Sequence, residues 1–207
     1  MNLQTLRAAV LAVVLAGATA VGLGLTGLGS ARAAEPAIAS APVDPAVSPL
    51  APLKPIASLD LPRYMGRWYE LARYPNRFQQ QCTGAATADY TLLPKGTVQV
   101  VNQCPKHGGK VDEAIGEARR VGPEGSPTLQ VRFAPAWLSF LPQVWGNYWV
   151  VELDAAYQLA VVSEPKREFL WVLSRGPSLS AAEWTALNAR LQAMGFEPAR
   201  LIRSAEP

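Results

Sequence analysis

Tyr64-Met65-Gly66-Arg67-Trp68-Tyr69-Glu70-Leu71-Ala72-Arg73-Tyr74 is the first stretch of the chain that carries aromatic residues. It reads as the opening strand of a β domain. Gly66 allows a tight bend ahead of the strand, and the run from Trp68 to Tyr74 is rich in the large residues that strands favour. No Trp, Tyr or Phe precedes Tyr64, so the folded domain is expected to begin near Leu59 and to run almost to the end of the 207 residues.

Beyond this strand, short apolar runs alternate with turn signals. Thr83–Leu93 and Thr97–Gln103 flank Pro94-Lys95-Gly96, a hairpin signal. Val111–Val121 and Thr128–Phe133 follow, separated by a stretch rich in Gly and Pro, and then come Asn147–Asp154, Tyr157–Ser163 and Phe169–Ser174. Eight strands with mostly short connections predict an all-β fold, an antiparallel up-and-down barrel wide enough for one small ligand. A sandwich is the competing arrangement. One helix follows the strands. Ser180-Ala181-Ala182-Glu183 is a capping box, Leu179 is placed to staple onto Trp184, and Trp184, Leu187, Leu191 and Met194 recur at helical spacing before Gly195. This lone amphipathic helix near the C-terminus is expected to pack outside the barrel, with a short terminal strand within Phe196–Ile202.

The region before Leu59 reads differently. Met1–Arg7 carries one positive charge, Ala8–Gly29 is apolar and uncharged, and Ala31-Arg32-Ala33 is a small-x-small cleavage site. Residues 1–33 are therefore an expected export signal, or an anchor if left uncut, with no Cys at the cut to take a lipid. Residues 34–58, rich in Pro and Ala, read as a disordered tether, residues 59–203 as the barrel and 204–207 as a tail. The formal charge of +3 falls to +1 without Arg7 and Arg32 (17 Lys+Arg against 16 Asp+Glu), which argues against nucleic-acid binding. Cys82 and Cys104 are the chain's two cysteines, one opening the second strand and one ending the third. Export favours a disulfide over two buried thiols, although a simple hairpin would pair Cys82 a few residues past Cys104, so a bulge or frayed end must absorb the offset.

Three separated features then converge: Gly66-Arg67-Trp68-Tyr69-Glu70, Leu153-Asp154-Ala155-Ala156-Tyr157 and Leu173-Ser174-Arg175. Their order and spacing resemble the signature regions of the lipocalin family. The runs Tyr64–Phe78 and Phe169–Pro177 look like its bacterial outer-membrane subgroup, which also resembles apolipoprotein D. The resemblance spans about Leu59 to Ile202. It implies that Trp68 plugs one end of the barrel under the guanidinium of Arg175 and that Asp154 and Tyr157 bracket a turn at that closed end. Gly66, Trp68, Asp154, Tyr157 and Arg175 are thus structural positions. It also implies a non-catalytic carrier of a small hydrophobic or amphipathic ligand, of the fatty acid or lysophospholipid type, in the periplasm or envelope. An isomerase branch of the family uses a cavity thiol, which pairing of the cysteines would remove.

Within the strands, Trp149 and Trp171 are candidate cavity walls, and Tyr90 and Tyr148 candidate headgroup partners. The connection Ala134–Val144 and the adjoining Trp145 place Trp137, Phe140 and Trp145 at the expected open mouth, as a ligand gate, a dimer contact, a membrane-facing patch or mere loop packing. Arg73, Arg77 and Lys106 are candidates for one rim, able to attract an acid group. His107 reads as an exposed loop residue. No metal-ligand spacing, P-loop, G-x-G-x-x-G or G-x-S-x-G occurs, so no cofactor and no metal are expected. The expected state is a monomer or weak homodimer. The alternatives are a filled barrel that docks a partner through residues 134–145, and an enzyme using a cavity thiol or acid.

Overall fold

A computed structural model describes residues 50–204. The expected export segment, most of the tether and residues 205–207 lie outside the described residues. The chain forms α1 (Leu61–Tyr64) and then eight strands: β1 (Gly66–Arg73), β2 (Ala86–Leu92), β3 (Val98–Lys106), β4 (Lys110–Arg120), β5 (Thr128–Arg132), β6 (Gly146–Leu153), β7 (Leu159–Ser163) and β8 (Leu170–Ser174). Helix α2 (Ala181–Ala193) follows, and β9 (Ile202–Arg203) pairs beside β1. The strand order runs β2 through β8 to β1, and β1 also pairs with β2, so the antiparallel sheet closes on itself. The expected barrel is the observed one.

Alternate connections of such a barrel lie at the same end. The links β1–β2, β3–β4, β5–β6 and β7–β8 surround one end, the mouth. The other links, together with α1, surround the sealed end. There Trp68 is fully buried and donates its indole N–H to the Tyr64 carbonyl at 2.9 Å. The Arg175 guanidinium lies 3.8 Å from the Trp68 ring centroid and donates to the carbonyls of Arg67 and Met65, each at 2.7 Å. Gly66 has φ +90°, a backbone conformation that strains any residue with a Cβ. Asp154 accepts the backbone N–H groups of Ala156, Gln158 and Leu159, and the Tyr157 hydroxyl accepts from the Asp60 N–H.

Two cores follow from strand alternation. Inside the barrel, Trp68, Tyr90, Val98, Val100, Leu129, Val150, Val162 and Leu173 pack together. Outside, Leu71, Val151, Val161 and Val172 meet Trp184, Leu187 and Leu191 of α2. The capping box starts α2 as expected, and Leu179 packs in the same layer. Burial of each such side chain contributes roughly 1.5–3 kcal/mol.

Three boundaries shift. The packed chain begins before Leu59: Leu53 is buried in the α2 layer and the Ile56 N–H donates to the Val150 carbonyl, so the last part of the expected tether lies against the barrel. Its apolar residues are few, but each is used. Strand β2 starts at Ala86 rather than Thr83, and β3 runs on to Lys106. Cys82 therefore stands in the preceding turn, where the Thr83 N–H donates to the Pro105 carbonyl and displaces the chain from simple hairpin register. That displacement brings Cys82 to Cys104 with 5.6 Å between Cα atoms, and the two form a disulfide.

Candidate functional site

The lower interior is filled by aromatic rings. Tyr64 lies 4.9 Å from Trp68 and 5.8 Å from Tyr90, centroid to centroid. The Tyr148 hydroxyl bonds both the Tyr64 hydroxyl, at 2.8 Å, and the Tyr90 hydroxyl, at 3.2 Å. Burial pushes the Tyr90 phenol up to about 12 and holds Tyr64 and Tyr148 well above the ordinary tyrosine range, so all three stay protonated at neutral pH. Three hydroxyl hydrogens share two mutual bonds, which leaves one donor free for a guest.

One wall above this floor is polar and tightly satisfied. A bulge at Leu71 shifts the β1–β8 register between Glu70 and Ala72. As a result Glu70 and Arg73 both point inward while Leu71 and Ala72 join the outer core. The buried Arg73 donates to Glu70 Oε1 at 2.9 Å. Gln79, from the β1–β2 connection, donates to Glu70 Oε2 at 2.6 Å and accepts from the Trp171 indole N–H at 3.0 Å. Burial raises the Glu70 carboxyl above the usual range, against the opposing pull of Gln79 and Arg73.

The opposite wall is made of small residues. Asn102, Ala114, Gly116, Val131 and Gly146 share the inward face with the core residues below them, by their pairing with inward partners. Below, Val98, Val100, Ala118, Leu129 and Val150 are buried; above, these five retain solvent exposure. The barrel is thus packed in its lower half, and its inward face is less buried towards the mouth. The Phe133 ring lies over Gly116, where a Cβ would meet it at 2.8 Å. Two hollows, of about 410 and 440 Å³, lie outside the barrel, one beside Arg73, Asn76 and Arg77 at the mouth and one between Leu50, Tyr74 and Arg167.

Of the sequence candidates, Tyr90, Tyr148 and Trp171 come together in the interior. Trp149 does not: it alternates with inward Tyr148 and Val150 and packs in the outer α2 layer. Trp145 shares that outward parity and stacks under Arg119, 4.0 Å from the ring centroid, with its indole N–H on the Ser139 carbonyl. Trp149 thus leaves the candidate wall, and Trp145, expected at the mouth, lies there on the outer face, because a period of two assigns alternate residues to opposite faces. Trp137 and Phe140 sit on the β5–β6 connection at the mouth, 72% and 73% exposed. Of the rim candidates, Arg73 is committed to Glu70, Lys106 pairs with Asp112 at 2.5 Å, and Arg77 lies over the exposed Phe78 ring. Sequence reading missed the small-residue wall and the Glu70–Arg73–Gln79 cluster. The alternation Ala114, Gly116, Ala118 was a legible sign of the first, whereas the second depends on a bulge.

Comparison with known proteins follows this geometry. The sequence profile of the lipocalin-like domain matches residues 59–206. Temperature-induced lipocalin-1 of Arabidopsis thaliana is 35% identical over 151 residues, 72% of this chain and 80% of the relative. The outer membrane lipoprotein Blc of Citrobacter freundii is 32% identical over 153 residues, 73% of this chain and 82% of the relative. Among solved structures, insecticyanin of the tobacco hornworm Manduca sexta superposes with a TM-score of 0.56 at 18% identity, covering 73% of this chain and 83% of that one, which is a likeness of fold.

Proposed function

The chain belongs to the lipocalin family, whose members bind small hydrophobic ligands, and we propose that it holds a fatty acid or lysophospholipid in the upper half of its barrel, in the cell envelope, without catalysing a reaction. The observation that carries this reading is the interior face at the mouth end. Asn102, Ala114, Gly116, Val131 and Gly146 are small or half-exposed where their neighbours below are buried. An acyl chain laid against Ala114, Gly116, Val131 and Trp171 gains roughly 0.8 kcal/mol per CH₂ removed from water. The polar end stays at the mouth, and the spare tyrosine hydroxyl hydrogen favours a guest with an acceptor.

The non-catalytic reading is supported by the disulfide, which consumes both cysteines and with them the only thiols of the chain. The interior acid, Glu70, is already bonded to Arg73 and Gln79. The envelope reading is supported by the apolar run Ala8–Gly29 and by the similarity to outer membrane lipoproteins.

The test is titration with an environment-sensitive fluorescent fatty acid, followed by competition with oleate and with a lysophospholipid. Fluorescence gain and displacement by one of the two are expected. A folded protein that leaves the probe dark rejects a ligand-binding interior. Displacement only by apolar compounds lacking a headgroup rejects the lipid class.

A further inference from the structure

We propose that the mouth of the barrel docks on a lipid bilayer through Trp137 and Phe140, so that ligand exchanges between membrane and barrel without crossing water; the exchange rests on the carrier reading, the docking does not. The β5–β6 connection carries no charged residue from Phe133 to Trp145. It is nonetheless built to a fixed shape. Two 3-10 turns, Ala136–Leu138 and Pro142–Val144, bond much of its own backbone. The Trp145 indole, held by Arg119 and by the Ser139 carbonyl, pins its base to the outer barrel wall. Two of its large apolar side chains are left more exposed than any other large hydrophobic residue among the described ones. A loop that could fold Trp137 or Phe140 inward instead presents both to the outside.

Three observations select a bilayer as the occupant. Phe78 and Phe133 add exposed aromatic surface at the same end of the barrel, and indole and phenyl rings are the side chains that settle at a lipid interface. Exposed Arg77, Lys110 and Lys166 lie on or beside the other mouth connections and complement anionic headgroups. Of the acids there, Glu113 and Glu168 are exposed, Asp112 is bonded to Lys106 and Gln81, and the Glu164 carboxylate is turned back onto the N–H groups of Lys166 and Glu168. The described chain also starts at this end. The Ala51 carbonyl accepts from Arg167 on the β7–β8 connection, and Leu50 lies against Gly195. Leu50, the first described residue, therefore lies on the mouth side of the barrel rather than its sealed side.

The experiment uses the full chain with vesicles of phosphatidylethanolamine and phosphatidylglycerol whose acyl chains are brominated near the headgroup. Because the N-terminal run can itself bind vesicles, the readout is position-specific quenching of tryptophan. Wild type is expected to lose fluorescence on brominated vesicles, and Trp137→Phe to lose most of that quenching. Trp137→Ser with Phe140→Ser is expected to slow vesicle-to-protein transfer of a fluorescent fatty acid by roughly tenfold, with the affinity for the same probe in water unchanged. Equal quenching in wild type and Trp137→Phe, or none in either, overturns the docking. So does a lipid-free dimer that the double variant dissociates, because the surface then belongs to a second copy. A probe that stays dark in water while the Trp137 quenching persists rejects the carrier reading and leaves the docking in place.

Discussion

The Arg175 guanidinium lies 3.8 Å from the Trp68 ring centroid and at the same time donates to the backbone of Arg67 and Met65. Arg175 directly follows β8 and Trp68 lies near the start of β1, so the stack closes the barrel where its first and eighth strands meet. Trp68→Ala should cost about 3–5 kcal/mol in urea unfolding, from loss of a fully buried aromatic. Arg175→Lys should also destabilise, because an ammonium cannot keep the planar stack and the forked carbonyl bonds together. A Trp68→Ala protein as stable as wild type would refute the plug.

Glu70 gives a pH dependence of defined sign. Its carboxyl is raised in the folded state by burial, so the native chain holds that proton more tightly than the unfolded one. The stability this provides is complete below the ordinary carboxylate range and is lost as pH rises through the raised value. Glu70→Gln cannot ionise. Its stability relative to wild type should therefore improve from pH 4 towards neutrality, as read by urea midpoints across that range. A constant difference contradicts the assignment.

The tyrosine cluster sets the alkaline limit. Tyr64, Tyr90 and Tyr148 are raised by burial, so their contribution is intact below the ordinary tyrosine value near 10 and is lost as pH climbs beyond it. Absorbance of the phenolate should rise in two stages, the later one coinciding with loss of tertiary circular dichroism. A single stage in a still-folded protein would show that these rings are open to water.

Ala114 lies on the inward face at the mouth end and pairs with Asn102. Ala114→Trp should fill that end and abolish fluorescent fatty-acid binding while leaving the unfolding midpoint within about 1.5 kcal/mol of wild type. Retained binding would move the ligand elsewhere.

The Cys82–Cys104 bond spans a sequence separation of 22. Its removal by paired Cys→Ser substitution should cost about 3 kcal/mol in the chain-entropy account, with the barrel retained. Calorimetry of the two forms measures the difference.

Much of this protein was legible before folding was considered. Turn residues and alternating apolar runs have short-range causes, so the strands and the α2 capping box followed from local spacing, and the pairing of the cysteines from their even number in a chain expected to be exported. The resemblance carried by Gly66–Glu70, Asp154–Tyr157 and Arg175 placed the sealed end correctly. Within the strands the sequence supplied the alternation but not its phase. Trp149 and Trp171 looked alike as wall residues, yet one packs under α2 and the other lines the interior.

Phase is a tertiary property. A strand's two faces become inside and outside only when the sheet closes, and a single bulge reverses the assignment for every residue beyond it. The bulge at Leu71 turns Arg73 inward onto Glu70, three residues away, where unbroken alternation would have sent it to the surface. Local pattern thus determined that the chain would form a sheet of eight strands and a helix, and the family resemblance placed a tryptophan at the base of a barrel. Closure and register decided which aromatic rings line the interior, and which were left outside at the mouth.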